Sequence, residues 1–432
     1  MKKKSLLFIT LLVLSTPLFS QGYYKDIFMD GGIKLTSRED LPAARRLNMS
    51  IEHFVTGKDT EESPLTLQDT IMQQMLFCGS EIDHNGILLY PDGQPRFKLL
   101  YVNGGKATRH GISLTQKGKE RIREFVKNGG NYLGTCAGMY LASNGTTTDK
   151  TIPKPAYLNI WPGITHATKL TKTPTGHFIE PNSPLLKYYN FGNKMHIDSV
   201  YHNGGGFAYI PKEASSEIDA LPKGTEILLR YDYKPFTKDT LSINNKISAW
   251  AWKESTQTGR ITLMGSHPEG YTSGDRLDLM SSLILYSIAG LGTPQIKGEL
   301  INGEERKMDK STIDNDPGFT KIGDKQYQHF YVNIPKSAKN IKVTLNGPNT
   351  YNLNLFMSQN GPAFINDATI MDISKGAQKV IQSKSIDAGR WYISVECATT
   401  VEVVKSQWGE VYTGNLSVLN GVPYTIKVDW DK

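Results

Sequence analysis

The chain has 432 residues, and 38% of them are hydrophobic, which is enough for ordinary packed cores in two or three domains. The formal net charge is +7, but three lysines at positions 2–4 supply part of it and the other charges are scattered. Because no basic stripe is present, the sequence argues against a nucleic-acid partner.

The first twenty residues have the pattern of a secretory signal peptide. Three lysines precede an uncharged apolar stretch from Leu6 to Leu14, and a weaker tail ends at Ser20. The apolar stretch is too short for a comfortable membrane span, so an uncleaved anchor is the lesser alternative. We expect cleavage near Ser20–Gln21, export to a periplasm or out of the cell, and no transmembrane anchor afterwards.

Residues 21–291 have the pattern of an α/β domain. Apolar runs predict strands at 26–30, 99–102 and 131–134. The segment Ser113-Leu114-Thr115-Gln116 fits a capping box at the start of a helix, and residues 276–289 predict a long closing helix. Strands and helices that alternate with short connections predict an open, mostly parallel sheet with helices on both faces.

The last part of the chain has a different pattern. Residues 292–310 are expected to form a linker, and residues 311–432 carry short alternating strands separated by turn residues, as at 328–332 and 391–395. This pattern predicts a C-terminal all-β sandwich.

One segment has the outline of a nucleophile elbow, Gly134-Thr135-Cys136-Ala137-Gly138. A strand ends, one residue turns, and a helix begins, so Cys136 is predicted to lie at a helix N-terminus that favours the reactive thiolate. The amide of Ala137 and those of a glycine loop, Asn103-Gly104-Gly105, are candidate oxyanion donors. The plain alternative is a buried cysteine that acts as a small hydrophobe.

A base for this thiol is predicted in the segment Gly265-Ser266-His267-Pro268-Glu269-Gly270. His267 and Glu269 project to the same side of an extended backbone, so the carboxylate could orient the imidazole. Pro268 indicates a loop at the end of a strand, where sites lie in open α/β sheets. Neither motif is specific alone, but the two together predict a Cys136–His267–Glu269 site.

Several other residues are weighed as candidates. His202 and Asn203 line a pocket or form a turn with a satisfied histidine, and both interpretations stay open. Lys106 and His110 are more simply exposed loop residues than substrate contacts. Cys78 and Cys397 are expected to be structural, and no metal site or cofactor is predicted because the histidines and carboxylates are too loosely spaced.

These motifs resemble the class I glutamine amidotransferase-like superfamily, and within it the branch named for the N-terminal domain of biotin-protein ligases. The segments that carry the resemblance are Asn103-Gly104-Gly105, Gly134 to Tyr140, Tyr201 to Gly206, and Ser266 to Gly270. The resemblance implies that Cys136 is a nucleophile that forms a thioester, His267 its base, Glu269 the orienting acid, and Gly104, Gly105 and Ala137 the oxyanion loop.

Two departures argue against a true amidotransferase. Tyr140 stands where glutamine-hydrolysing members usually carry a glutamine, and the tail is a β-sandwich rather than a synthase domain. Tyr140 is therefore grouped with Asn103, His202 and Asn203 as a candidate substrate-binding residue. No biotin-ligase catalytic domain is recognised either.

The tail is similar to bacterial pre-peptidase C-terminal domains at residues 351–356 and 389–393, which implies a surface or matrix polymer as its partner. Taken together, the sequence predicts an exported cysteine-dependent amide or peptide hydrolase that acts on a small-molecule or peptide amide. The alternatives are a non-catalytic ligand-binding protein on the same scaffold and a surface protein that works through the sandwich.

Overall fold

A computed structural model of the chain describes residues 22–30, 38–54, 79–233, 243–292, 294–406 and 409–431. The signal peptide predicted at residues 1–20 and the structural role predicted for Cys78 lie outside the described residues, so both stay predictions. Within the described ranges, no helix combines the length and the apolar character that a membrane span requires.

Six α-helices lie in the described part of the chain. They are α1 (Pro42–Arg46), α2 (Ala107–Ser113), α3 (Thr115–Lys127), α4 (Ala137–Ala142), α5 (Glu217–Ala220) and α6 (Gly274–Ile288). The strands are β1 (Lys25–Asp30), β2 (Ile51–Phe54), β3 (Phe97–Val102), β4 (Asn131–Thr135), β5 (Ser143–Thr146), β6 (Trp161–Ala167), β7 (Thr173–Ile179), β8 (His196–His202), β9 (Gly206–Ala208), β10 (Glu226–Asp232), β11 (Ile247–Trp252), β12 (Ile261–Met264), β13 (Ile296–Glu299), β14 (Glu305–Met308), β15 (Tyr327–Ile334), β16 (Lys339–Asn346), β17 (Leu353–Ser358), β18 (Ile370–Asp372), β19 (Gln378–Ser383), β20 (Gly389–Cys397), β21 (Val401–Ser406), β22 (Gly409–Gly414) and β23 (Tyr424–Asp431).

The largest sheet has the order β21-β22-β2-β1-β3-β4-β12-β11-β10-β7-β8. Its middle, β2-β1-β3-β4-β12, is parallel, and antiparallel strands extend it at both edges. The α/β class with a β-rich tail is therefore confirmed, and the complete sheet is mixed. The carboxyl ends of β3, β4 and β12 meet at one edge, which is the edge where sites form in open sheets.

Successive residues of the parallel strands point to opposite faces, as the period of two requires. Phe28 packs into one hydrophobic core, whereas its neighbours Ile27 and Met29 pack into a second core on the other face. Helix α3 supplies Phe125 to the first core, and α6 supplies Leu283 to the second. Apolar runs without alternation thus mark strands that are covered on both sides.

The predicted capping box at residues 113–116 is wrong. Ser113 ends α2, and its hydroxyl donates to the carbonyl of His110 at 2.9 Å instead of capping the next helix. Thr115, the first residue of α3, has a positive φ of 60°, and α3 begins without a side-chain cap. The chain therefore makes a sharp turn between two helices where the sequence predicted a single start.

The tail forms two antiparallel-rich sheets, β13-β15-β20-β17-β18 and β14-β23-β16-β19, which enclose a shared apolar core. Strands β13 and β14 lie within residues 292–310, so this segment contributes to both sheets instead of serving only as a linker.

The tail also extends the main sheet. Strands β21 and β22 form a hairpin, and β22 pairs with β2 through Phe54 and Gly409. The Tyr412 hydroxyl donates to Glu52 at 2.6 Å, across 360 residues of sequence. The two predicted domains therefore share a sheet as well as an interface.

A buried ion pair joins the two parts of the molecule. The guanidinium of Arg96 donates to both carboxylate oxygens of Asp324 at 3.0 Å, and both side chains are almost fully buried. The same guanidinium lies 4.5 Å from the Tyr24 ring centre and 5.5 Å from that of Tyr412. Nη2 of Arg96 makes both contacts with Asp324, and charge-assisted hydrogen bonds of this kind are stronger than those between neutral groups.

Candidate functional site

Cys136 occupies a strained turn between β4 and α4. Its φ of 49° and ψ of −104° are unusual for a residue with a side chain, and its amide donates to the Met264 carbonyl at 2.9 Å. Such backbone strain costs about 1–3 kcal/mol and persists where the surrounding structure enforces it. Glycine at positions 134 and 138 is required because a methyl group at either would overlap neighbouring backbone. The predicted elbow geometry is present.

The helix after the elbow is short. Helix α4 has six residues, so its dipole offers less stabilisation to a thiolate than the sequence argument assumed. Any activation of Cys136 must rely on neighbouring side chains. One of these is the His267 imidazole, whose pKa is raised in part by the Cys136 side chain.

His267 and Glu269 are arranged as predicted. Nδ1 of His267 lies 2.7 Å from Oε1 of Glu269, which fixes the proton on Nδ1 and leaves Nε2 for Cys136. Burial opposes the charged imidazole, but the hydrogen bonds and charges of Cys136 and Glu269 outweigh it and raise the pKa of His267 to about 10. The raised pKa favours the imidazolium form of His267.

Glu269 itself is almost fully buried. Only its Oε1 atom meets the imidazole, and within the described ranges its buried Oε2 atom has no hydrogen-bond partner. A carboxylate that accepts from one ring nitrogen orients the imidazole without taking part in further contacts.

The glycine loop also lies against this pair. A methyl group at Gly104 would overlap the His267 ring, and one at Gly105 would overlap the ring of His110. Asn103 is buried, and its backbone N–H donates to the backbone carbonyl of Asp30 at 3.0 Å. The loop thus belongs to the same site, while the oxyanion role of the amides of Gly104, Gly105 and Ala137 stays a prediction.

His110 differs from the sequence interpretation. It is buried, and its Nδ1 lies 3.1 Å from Oδ2 of Asp30, whereas Lys106 is exposed as expected. A buried histidine–carboxylate pair therefore packs against Gly105, next to the glycine that faces His267. The spacing of Asp30 and His110 in the sequence gave no signal of this contact, because they meet only across β1 and α2.

The segment from Tyr201 to Gly206 forms a third wall. The Cys136 thiol donates to the Asn203 carbonyl at 3.5 Å, and the His267 amide donates to the Tyr201 carbonyl at 2.8 Å. The half-buried Tyr140 hydroxyl donates to the Gly204 carbonyl at 3.2 Å. Tyr140 therefore closes the site from the α4 side and occupies space beside the thiol.

The side chains of the two remaining candidates, Asn203 and His202, make contacts within the protein instead of facing Cys136. The side-chain oxygen of Asn203 accepts from the backbone amide of Lys172 at 3.2 Å. It is the backbone carbonyl of Asn203 that contacts Cys136. His202 is fully buried between Thr168 and Ser266, which supports the interpretation of a satisfied histidine rather than a pocket-lining one. The contacts of Thr168 and Ser266 with His202 were not predicted, because these residues are 34 and 64 positions away in the sequence.

Cys397 lies in the sandwich as a buried free thiol, as expected. Burial raises its pKa far above that of an exposed thiol. An inert cysteine therefore exists in the same chain as a natural reference for Cys136.

Comparison with known proteins finds a similarity for this region. Residues 81–281 match the model described as biotin-protein ligase, N terminal. The biotin–protein ligase of Schizosaccharomyces pombe is 26% identical over 216 residues, which are 46% of this chain and 31% of that protein. The chain therefore spans about a third of the length of this relative.

Two solved structures resemble parts of the fold. A glutamine amidotransferase has 16% identity and a TM-score of 0.33, over 59% of this chain and 98% of its own. The pre-peptidase C-terminal domain of a Bacillus anthracis collagenase has 13% identity and a TM-score of 0.19, over 32% of this chain and 100% of its own. At these scores neither likeness carries a functional argument, and the resemblance of the tail is only weak.

The prediction of an exported cysteine-dependent hydrolase is wrong, because the family that matches residues 81–281 is named for ligases. The resemblance to the biotin-protein ligase branch is confirmed, and the matched residues include Cys136, His267 and Glu269. Residues 81–281, a little under half of the chain, are therefore similar to the N-terminal part of biotin-protein ligases.

Proposed function

We propose that this protein acts in acyl transfer related to biotin ligation, with Cys136 as the residue that carries the acyl group. The family match supports ligation, in which a carboxyl group becomes joined to an amine. The observation that carries the proposal is the arrangement inside the matched region of Cys136, in its strained turn, with His267 held by Glu269 at 2.7 Å.

In the first step the Cys136 sulfur attacks the carbonyl carbon of an activated biotin ester. A carbon–sulfur bond forms, the carbon–oxygen bond to the leaving group breaks, and the leaving group departs with the electron pair. No oxidant or reductant is needed. The glycine loop beside His267 is the candidate site for the carbonyl oxygen while it carries negative charge.

In the second step an amine attacks the thioester. A carbon–nitrogen bond forms, the carbon–sulfur bond breaks, and Cys136 recovers its electron pair. The proton lost by the amine passes to a base in the site, and the imidazole of His267 serves once it has released its own proton to the leaving group. Transfer to an amine instead of to water separates this function from hydrolysis.

Tyr140 supports a carboxyl donor that differs from glutamine. Its ring lies beside Cys136 and its hydroxyl is held by the Gly204 carbonyl, so it fills space on the α4 side of the thiol.

The test uses the full chain with biotin p-nitrophenyl ester, whose leaving group is coloured. Intact-protein mass spectrometry should detect one biotinyl group on Cys136, and a lysine peptide added afterwards should remove it as a biotinyl amide. Cys136→Ala should abolish the adduct, and Cys397→Ala is the matched control because that thiol is buried and inert. The rate of adduct formation with p-nitrophenyl acetate, measured in parallel, shows whether the biotinyl group is preferred over an acetyl group.

Two results would overturn the proposal. The first is an adduct that forms equally fast in Cys136→Ala. The second is an adduct on Cys136 that water removes as fast in the absence of the peptide as in its presence.

A further inference from the structure

A chain of buried hydroxyl and imidazole groups runs behind the Cys136–His267 pair. Nε2 of His202 lies 2.6 Å from the Thr168 hydroxyl oxygen, and Nδ1 of His202 lies 3.0 Å from the Ser266 hydroxyl oxygen. All three side chains are essentially inaccessible to solvent. None of them belongs to the reacting groups described above, and a buried polar group of this kind has to be satisfied by its neighbours.

The hydrogen bonds fix the tautomer of His202. The Thr168 hydroxyl donates its single proton to the Gly205 carbonyl at 2.8 Å, so it can only accept from His202. Nε2 of His202 must therefore carry a proton. In a neutral imidazole the other ring nitrogen, Nδ1, is then an acceptor, and the Ser266 hydroxyl 3.0 Å away is the donor within reach.

The ring environment keeps this imidazole neutral. Burial, together with the charge of His267, lowers the pKa of His202 to about 4. Groups packed around the ring include the hydroxyl of Thr168, the hydroxyl of Ser266 and the edge of the Tyr231 ring, which is 5.6 Å away between centroids. None of these three groups supplies a negative charge at neutral pH that would favour an imidazolium.

The two contacts of His202 reach opposite walls of the site. Ser266 directly precedes His267, and Thr168 holds Gly205 in the turn whose Asn203 carbonyl accepts from Cys136. The two walls also touch, because a methyl group at Gly205 would overlap the carbonyl of Gly265. His202 therefore lies where the segment that carries the base meets the turn that contacts the thiol.

We propose that His202 is a positioning residue, and that its neutral Nε2–H tautomer clamps the turn at residues 203–205 to Ser266 and so sets the position of His267 relative to Cys136. This inference rests on the proposed function only in taking Cys136 and His267 as the reacting pair. It requires no particular acyl donor.

The network continues away from the site. The Thr175 hydroxyl lies 3.1 Å from that of Ser266 and 3.3 Å from Nε2 of His177, whose Nδ1 lies 2.8 Å from the Ser248 hydroxyl. These groups are buried too, and burial with the charges of the other histidines lowers the pKa of His177 to about 3. Ser266 is thus held from two sides, which limits its freedom to rotate away from His202.

The test compares two serine-to-alanine variants of the full chain. Ser266→Ala removes the hydrogen bond to Nδ1 of His202, whereas Ser394→Ala removes an equivalent buried bond of 2.7 Å to Nδ1 of His329 in the sandwich. Both variants lose a buried histidine–serine bond, so their melting temperatures should fall by similar amounts. Only Ser266→Ala should slow iodoacetamide alkylation of Cys136, by about tenfold.

Substitution of the ring itself gives a rescue test. His202→Leu should slow alkylation at least as much as Ser266→Ala, and His202→Gln should recover part of the rate because glutamine keeps one donor and one acceptor. If His202→Leu fails to fold, the nitrogen-15 chemical shifts of His202 in the unmodified protein decide the question. They should show a protonated Nε2 and an unprotonated Nδ1 at neutral pH.

Three results would overturn the proposal: a protonated Nδ1 in His202, equal alkylation rates in Ser266→Ala and Ser394→Ala, or no recovery in His202→Gln. Loss of biotin transfer in a protein whose alkylation pattern matches these expectations would overturn the proposed function alone. The two ideas can therefore fail separately.

Discussion

Removal of the Asp324 carboxylate tests how the two parts of the molecule are held together. In the folded protein both oxygens of Asp324 accept from the Arg96 guanidinium at 3.0 Å, and the exposed fractions of the two side chains are 1% and 2%. Asp324→Ala leaves the guanidinium of Arg96 buried without its main counter-charge. Its remaining protein contacts include the Ile87 carbonyl at 3.3 Å and the carboxylate of Asp83 at 3.9 Å.

The magnitude follows from the burial. Breaking a buried ion pair by removing one partner costs about 3–5 kcal/mol, because the other charge stays desolvated. An exposed pair is worth about 0–1 kcal/mol. Lys427 and Asp429 form such a pair at 2.8 Å, with 38% and 39% of their side chains exposed. Asp324→Ala should therefore cost several times more free energy of unfolding than Asp429→Ala.

The assay is urea unfolding of the full chain, followed by far-ultraviolet circular dichroism and by tryptophan fluorescence. We expect Asp324→Ala to lower the free energy of unfolding by about 3–5 kcal/mol and Asp429→Ala by at most about 1 kcal/mol. The double variant Arg96→Met with Asp324→Leu should regain most of the loss, because neither charge is then buried. A cost for Asp324→Ala no larger than that for Asp429→Ala would refute the reasoning.

Three further predictions concern the packing of the site and the pH dependence of stability. Gly104→Ala should slow alkylation of Cys136 by about tenfold, because the added methyl group overlaps the His267 ring. Gly270→Ala is the control: its methyl group has no neighbour within 4 Å and should leave the rate unchanged. Burial raises the pKa of Asp83 to about 6. The unfolded carboxyl loses its proton at lower pH, so the contribution of Asp83 to the free energy of unfolding should fall by about 3 kcal/mol as the pH rises from about 4 to 7. In urea titrations, Asp83→Asn should remove this decline. At His267 the charges and hydrogen bonds outweigh burial, and its pKa of about 10 lies above its unfolded value. The stabilisation that it provides is therefore complete below about pH 6.5 and should be lost as the pH rises to about 10. The difference in free energy of unfolding between the unmodified protein and His267→Gln should shrink over this range.

Each of these predictions has an opposing outcome. Equal alkylation rates in the two glycine variants would mean that the glycine loop is not packed against the imidazole. A pH profile unchanged by Asp83→Asn would mean that this carboxyl ionises normally in the folded state. A constant difference between the unmodified protein and His267→Gln from pH 6.5 to 10 would mean that the imidazole is not stabilised as a cation.

Some features could be predicted from local sequence because local geometry is enough to define them. Small residues on both sides of Cys136 permit a sharp strand-to-helix turn, and that turn is present with a positive φ at the cysteine. His267 and Glu269 lie two residues apart on an extended segment, so their side chains meet without help from the rest of the fold. The capping box predicted at residues 113–116 is absent although that motif is equally local, because the chain turns sharply at Thr115 between two helices.

Other features depend on contacts between distant segments, and no short motif encodes them. The hairpin of β21 and β22 pairs with β2 through backbone groups, and every residue other than proline offers the same backbone donor and acceptor. The burial of His110 requires Asp30 from another element, and the tautomer of His202 requires Thr168 and Ser266 from two more. Side-chain identity alone gives no indication of these partners.

By itself, the sequence determined the α/β class, the β-rich tail, the elbow at Cys136 and the adjacent histidine–glutamate pair. These follow from hydrophobic periodicity and from the few backbone shapes that short motifs allow. Only the tertiary structure decided that the tail joins the main sheet, that Arg96 and Asp324 connect the two parts, and that His202 lies behind the site instead of inside it. The physical reason is that burial and hydrogen-bond partners are properties of the packed chain, set by segments that are far apart in sequence.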